Sequence, residues 1–170
     1  MKKLFKVALV AVCLLSVGNF AKAQTKIGYI NLNALIGLMP EAKTVKSQLD
    51  IYSKQFTDQL AAMQTELQTK GTEFQKTQAT MNEATRSAKQ AELQDIQKRM
   101  QDYNTTAQQK FDEKSNELIK PLSDKAHTAV EAVAKEKGYT YVLDSGQTAL
   151  VVAPPGDDMM EAVKAKLGIK

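Results

Sequence analysis

The chain has 170 residues, of which 25% are charged and 43% hydrophobic, and its formal net charge is +4. Its first 23 residues hold four lysines and no acidic residue, so the remaining 170 − 23 = 147 residues carry 23 − 4 = 19 basic and 19 acidic side chains. That part of the chain is neutral and contains only two arginines. Because nucleic-acid binding relies on an extended positive field, the composition argues against that class of function.

The N-terminal segment has the pattern of a secretory signal peptide. Three lysines precede the apolar run from Val7 to Val17, and Ala21-Lys22-Ala23 follows as a small-x-small cleavage site. The run is too short to span a bilayer. The pattern predicts a signal peptide at residues 1–23, cleaved after Ala23. The single cysteine, Cys13, leaves with it, so the mature chain is expected to have no thiol chemistry.

The mature chain begins with a strand pattern. Residues 26–32 are apolar and rich in residues that favour β structure, which predicts a strand covered on both faces. Residues 33–39 predict a short helix or turn. Pro40 and Glu41 then supply the proline and the acid that are typical of a helix's first turn.

Residues 41–137 predict a long helical hairpin. Apolar residues recur every three or four positions from Ala42 to Leu67, and again from Leu93 to Val133. The two seams mirror each other about residues 82–86, which places the tip there, on arms of about 60–75 Å. Large apolar residues are scarce between Leu67 and Leu93, so the distal helices should be mobile and loosely paired. Pro121 is expected to kink or interrupt the return helix.

The last part of the chain predicts a return to β structure. Gly138 should end the helix, and residues 139–144 and 148–153 predict two strands joined as a hairpin. Asp157 is expected to cap a short final helix. The predicted fold class is therefore α+β, with a small β body (residues 24–40 and 138–170) and a coiled-coil hairpin arm (residues 41–137). Because the body is small and the arm buries only a seam, we expect an oligomer.

No group of residues predicts catalysis or metal binding. His127 is the only histidine, and it has neither a placed acid partner nor a cysteine beside it, so it completes neither a nucleophilic triad nor a metal site. Asp157 and Asp158 fit a helix start better than a cation site. The sequence predicts that the protein is not an enzyme and binds no cofactor.

Three stretches of the mature chain resemble the Skp/OmpH family of periplasmic chaperones. They are residues 26–31 (KIGYIN), residues 39–42 (MPEA) and residues 134–152, which contain AKEKGYTYVLD, a turn and ALVV. The resemblance implies a periplasmic homotrimer whose short strands join into a central barrel. It also implies that three helical arms surround a cavity and hold unfolded outer-membrane proteins there without ATP. By the same resemblance, the trimer core would be formed by Ile27, Tyr29, Tyr141, Leu143, Leu150 and Val152.

The arms offer two kinds of candidate client contact. Gln and Thr make up 21 of the 55 residues from Gln55 to Gln109. Their side chains can hydrogen-bond a fluctuating chain without one fixed geometry, although a solvated helix surface explains the same composition. Phe74 and Met81 lie near the tip, where little packing is available, and they are the individual residues predicted to contact client.

The charge of the arms differs from the strongly basic arms that members of this family can carry. Residues 70–89 hold four basic and two acidic side chains, a net charge of +2. No cluster predicts a lipopolysaccharide site, while transient contact with a membrane surface stays open. Weak salt dependence of client binding is expected. The alternative function is a structural tether of the cell envelope, with the arms as rigid spacers.

Overall fold

A computed structural model describes residues 25–169. The predicted signal peptide, its cleavage site after Ala23 and Cys13 lie outside these residues. The described elements are, in chain order: strand β1 (Ile27–Ile30), helices α1 (Leu32–Leu38), α2 (Pro40–Thr77) and α3 (Glu83–Lys137), strand β2 (Tyr141–Asp144), a 3-10 turn (Pro155–Asp157) and helix α4 (Met160–Leu167). The fold is α+β, as predicted.

Helices α2 and α3 form the helical hairpin that the two apolar seams predict. Pro40 occupies the first turn of α2, where its missing N–H costs nothing. The chain reverses at residues 78–82, which overlaps the predicted tip (residues 82–86) at Asn82 and otherwise precedes it. There the side chain of Asn82 caps α3 by accepting a hydrogen bond from the Thr85 N–H at 2.9 Å.

Pro121 does not interrupt the return helix. Helix α3 runs unbroken over 55 residues with Pro121 inside it, so of the two predicted outcomes the interruption does not occur, and the kink stays a prediction. Pro121 is exposed, whereas the adjacent Leu122 is buried in the core of the body. Packing of the helix face beside the proline offsets the hydrogen bond that the proline removes.

Strands β1 and β2 form a two-stranded parallel sheet, with Ile27 opposite Tyr141 and Ile30 opposite Asp144. Parallel neighbours require a long crossover connection, and here the whole helical arm is that connection. Gly138 ends α3 in the left-handed conformation, with φ of 71°, which favours glycine and lets the chain turn back into β2.

The second predicted strand, residues 148–153, is not formed. Neither it nor a hairpin with β2 is present, and Val151 and Val152 are 97% and 80% exposed. The segment instead crosses the face of the sheet, where the Tyr29 hydroxyl donates to the Ala153 carbonyl at 3.5 Å. A strand needs a partner for its backbone groups, and the described part of this chain supplies none beside residues 148–153.

The hydrophobic core lies in the body, where the sheet, α1, α4 and the root of α3 meet. Its buried members are Ile30, Leu35, Met39, Leu122, Ala126, Ala129, Val130, Val133, Met159 and Val163. The predicted cap Asp157 does not cap the last helix, whose N-cap is Met159 without a side-chain hydrogen bond, although the Asp158 carboxylate accepts from the Met160 N–H at 2.8 Å. Asp157 instead accepts from the Tyr139 hydroxyl at 3.3 Å. The core thus fixes the root of the arm to the sheet.

Candidate functional site

The exposed face of the sheet collects the residues that the sequence proposes for a trimer core. Side chains alternate along a strand, and the parallel register places Ile27 opposite Tyr141 and Tyr29 opposite Leu143. These four residues therefore share one face of the sheet. The other face carries Ile30, which is buried in the core.

Five of the six predicted residues line a single groove of about 630 Å³ on this face. They are Ile27, Tyr29, Leu143, Leu150 and Val152. Tyr141, the sixth, lies beside them and is 61% exposed. We call these six residues the assembly face. Although residues 148–153 form no strand, they bring Leu150 and Val152 onto it.

The assembly face is apolar and open to solvent. Ile27 is 48% exposed, Leu143 40% and Val152 80%. Monomeric proteins seldom leave a contiguous apolar patch uncovered, and such patches mark interaction sites. The face therefore has the character of a surface that another chain covers.

Two tyrosine hydroxyls bind the segment from Ala153 to Asp157: Tyr29 through the Ala153 carbonyl, and Tyr139 from the core side of the sheet. The Tyr139 hydroxyl donates to the Gly156 carbonyl and to Asp157, each at 3.3 Å. Desolvation, and then the neighbouring Asp158 and Asp157, raises the pKa of Tyr29 above its ordinary value of 10.0. Desolvation and Asp157 likewise raise the pKa of Tyr139. Both hydroxyls therefore stay protonated at neutral pH and act as donors.

Few side chains are buried along the arm outside the core of the body. Met63, Ile96 and Ala107 are buried between the helices. The rings of Tyr52 and Phe56 meet edge to face at 4.9 Å, and Tyr103 lies 6.2 Å from Phe56. No side chain is buried from residue 64 to residue 95, and none is buried in residues 40–62 of α2 or residues 108–121 of α3. Burial therefore does not distinguish the distal arm from the proximal arm, and the predicted loose pairing and mobility of the distal helices stay predictions.

The two predicted client-contact residues lie far along the arm, away from the assembly face. Phe74 is half-buried in the last turns of α2, and Met81 is half-buried in the tip turn. Beside Met81, the Arg86 guanidinium donates to the carbonyls of Gln78 and Met81 at 3.3 and 3.2 Å. In the sequence, Arg86 contributes to the positive net charge predicted for the tip. In the structure its guanidinium also closes the tip turn through these two hydrogen bonds.

Most charges on the arm are paired within one helix, which keeps its surface locally neutral. Pairs three or four residues apart are Lys46–Asp50, Lys54–Asp58, Lys70–Glu66, Arg86–Glu83, Lys89–Glu92, Arg99–Asp95, Lys98–Asp102, Lys114–Glu117 and Lys120–Asp124. Two further pairs cross between the helices: Lys125 with Glu41 at the root, and Lys70 with Glu92 toward the tip. The sequence did not reveal the crossed pairs, because their members lie 84 and 22 residues apart.

The residues that the structure describes gather no group of metal-ligating side chains beside these surfaces. Within residues 25–169 no three His, Cys, Asp or Glu side chains gather closely enough to hold a metal ion. His127 lies exposed on α3. In the same part of the chain, no helix combines the length and the apolar character needed to cross a bilayer.

Comparison with known proteins matches nearly all of the described chain to one family. The family model of OmpH-like outer membrane proteins matches residues 26–167. Chaperone protein Skp of Yersinia enterocolitica is 28% identical over 141 residues, which is 79% of this chain and 80% of that protein. Chaperone protein Skp of Photorhabdus laumondii is 28% identical over 158 residues, which is 90% of this chain and 92% of that protein.

A solved structure supports the fold. An OmpH-like outer membrane chaperone from Caulobacter crescentus superposes with a TM-score of 0.66 at 19% sequence identity, over 83% of this chain and 82% of the other. At that identity the likeness concerns the fold alone. Because the family model spans far more than half of the sequence, the chain belongs to the family of OmpH-like outer membrane proteins.

Proposed function

We propose that this protein is an ATP-independent periplasmic holdase chaperone that binds unfolded outer-membrane proteins between helical arms and prevents their aggregation. The observation that carries the proposal is the combination of an uncovered apolar assembly face with a long arm on which, outside the body core, only Met63, Ile96 and Ala107 are buried among the described residues. The first feature requires other chains, and the second offers an adaptable surface. The two relatives reported above are named chaperone protein Skp, which supports the same function.

The proposal divides the chain into parts with separate tasks. Residues 1–23 direct export and are removed after Ala23. The β body, residues 24–40 and 138–170, assembles three copies. The arm, residues 41–137, surrounds the client, and Phe74 and Met81 contact it.

In the proposed homotrimer the assembly face becomes the shared core. Residues 148–153, which have no strand partner within residues 25–169 of one chain, pair with a strand of a neighbouring copy. This arrangement covers Val152, which is 80% exposed in one chain, and pairs its backbone groups. The support is the common face of the six residues and the groove that five of them line.

The assembly is tested by the mass of residues 24–170 in solution, measured by sedimentation. We expect three chains for the unaltered protein and a shift to single chains for Val152→Asp, because a carboxylate would be buried in an apolar interface. The matched control is Ile51→Asp, since Ile51 is also exposed, at 61%, but lies on the arm. A single chain for the unaltered protein, or an intact trimer for Val152→Asp, would contradict the assembly.

The holdase function is tested by light scattering without ATP. A urea-unfolded outer-membrane β-barrel protein is diluted into buffer with and without residues 24–170. We expect suppression of aggregation that saturates near one client per three chains. Unchanged scattering in the presence of excess protein would overturn the proposed function.

A rigid tether of the cell envelope is the second candidate, favoured by the unbroken 55-residue helix α3. The two functions predict different hydrogen exchange in the free protein. Fast exchange of residues 67–93 beside a slower proximal arm supports the holdase, whose arms must adapt to a client. Slow, cooperative exchange along the whole arm supports the tether.

A further inference from the structure

An ion pair connects the two helices of the distal arm, beside half-buried apolar side chains such as Leu67 and Leu93. No side chain from residue 64 to residue 95 is buried, yet Lys70 on α2 and Glu92 on α3 form an ion pair across the hairpin. Glu92 also meets Lys89 at 3.3 Å, and Lys70 lies 3.9 Å from Glu66. Four charges of alternating sign thus run from one helix to the other.

This cluster is more sheltered than the ion pairs that lie within one helix. The side chains of Lys70 and Glu92 are 34% and 36% exposed, whereas those of Lys98 and Asp102 are 74% and 65% exposed. Fully solvated pairs contribute little because water screens them, while networks of several charges contribute more. The Lys70–Glu92 contact is therefore the ion pair best placed to hold the distal helices together.

The cluster and the tip turn enclose the predicted client-contact residues. Phe74 lies one helical turn beyond Lys70, so both occupy the same side of α2. Met81 follows in the turn that Arg86 closes through backbone carbonyls. Both apolar side chains are half-buried in this closed arrangement. Separation of the two helices between Lys70 and Glu92 would expose them further.

We propose that Lys70, Glu92 and Lys89 form a polar latch that keeps the distal ends of α2 and α3 closed, and that the distal arm opens as a unit when the latch breaks. Gly71 lies beside the latch, where a Cβ would meet nothing within 4 Å. A glycine inside a helix lowers its stability, so opening is easiest at this point.

The charge of Glu92 controls the latch. The groups that face Glu92 are Lys70 and Lys89, and those that face Lys70 are Glu92, Glu66 and Glu73. Hydrogen bonds from Lys70 and then Lys89 lower the pKa of Glu92, so the latch is complete at neutral pH. The latch weakens as the pH falls below 4.5, the ordinary pKa of a glutamate carboxyl, because Glu92 then gains a proton.

The test is hydrogen exchange of residues 24–170 at one fixed neutral pH. We expect Glu92→Gln and Lys70→Gln each to speed exchange of residues 67–93 by about two- to five-fold, the range for a surface ion pair. The double variant should exchange no faster than the faster single variant, because both changes remove the same contact. The matched control, Asp102→Asn, breaks the Lys98–Asp102 pair within α3 and should leave residues 67–93 unchanged.

Three results would overturn the latch. One is unchanged exchange in Glu92→Gln, and another is a double variant in which the two single effects multiply. The third is exchange of residues 67–93 in the unaltered protein at the rate of an unfolded peptide, since nothing would then hold them closed. These measurements use no client, so a failure to suppress aggregation would overturn the proposed function and leave the latch standing.

Discussion

Two glycines differ in what a side chain would meet at their positions. A Cβ on Gly28 in β1 would lie 2.8 Å from the Met159 sulfur and 3.1 Å from the Tyr139 ring. Met159 is only 1% exposed, so its side chain has no solvent to move into. A Cβ on Gly71 in α2 would meet nothing within 4 Å. Substitution by alanine should therefore lower the stability of the fold at Gly28 and raise it at Gly71.

We expect Gly28→Ala to lower the free energy of unfolding by about 1–3 kcal/mol, because it overpacks the body. Gly71→Ala should stabilise the arm by about 0.5–1 kcal/mol, because alanine loses less backbone entropy in a helix. Denaturant unfolding followed by circular dichroism measures both. The protein concentration must be the same for all variants, since assembly contributes to stability. If the Gly28→Ala variant were as stable as the unaltered protein, the close packing of Gly28 against Met159 and Tyr139 would be contradicted.

Individual residues were predictable where their signal is local. Pro40 at the start of α2 and Gly138 at the end of α3 act through their own backbone conformation, and both lie where the sequence places them. The contact of Tyr139 with Asp157 and the use of Arg86 to close the tip turn depend on how the chain folds back on itself. No spacing along the sequence indicates such contacts.

At the scale of elements, the two long helices are joined at the root by the ion pair of Glu41 on α2 with Lys125 on α3. The hydrogen bond from Lys125, followed by a backbone hydrogen bond, lowers the pKa of Glu41 below its ordinary value of 4.5. A carboxyl whose pKa is lower in the folded state than in the unfolded state stabilises the folded state at pH values above the ordinary pKa. The contribution is lost as the pH falls through the folded value.

We therefore expect Glu41→Gln to melt at a lower temperature than the unaltered protein at neutral pH. The difference should shrink as the pH drops below 4.5, because Glu41 itself then becomes protonated. Melting curves over a pH series measure it, and Glu113→Gln, an exposed position on α3, is the control for loss of one carboxylate. A difference that stays constant into strong acid would show that the ion pair is not its cause.

The helices were predictable as elements, and the last strand was not. The seams of α2 and α3 repeat over many turns, so their period is unmistakable. Residues 148–153 have the composition of a strand, but pairing is a property of two segments, and the described part of one chain offers them no partner. The six assembly-face residues came from family resemblance, and the sheet register explains why four of them share a side.

For the whole molecule, residues 24–170 carry equal numbers of basic and acidic side chains. Many of these charges are paired with a close neighbour on the same helix, so they do not form separate positive and negative regions. Pairs such as Lys46–Asp50 and Lys54–Asp58 cancel charge within a single helical turn. The arm charges outside these pairs, such as Lys76, Lys110, Glu73 and Glu113, are of both signs, so they give no strong field of one sign to attract a client over a distance. Hydrogen bonds from Gln and Thr, together with apolar contacts, are left as the adhesive interactions.

We expect the dissociation constant for an unfolded client to change by less than about three-fold between low and high salt, because few counterions are released on binding. A titration monitored by fluorescence at several salt concentrations measures it. The double variant Asp50→Asn with Asp58→Asn removes the partners of two lysines and should make binding to an acidic client more sensitive to salt. A dissociation constant of the unaltered protein that rises steeply with salt would contradict the view that local charge pairing makes client binding insensitive to salt.

The decisive measurement is the mass of the complex that forms when a urea-unfolded outer-membrane β-barrel protein is diluted into residues 24–170. We expect a species of three chains with one client, retained in Ile51→Asp and absent in Val152→Asp. A client bound by a single chain, or trimers that leave the client unbound, would contradict a chaperone that works by enclosing its client between the arms of an assembly.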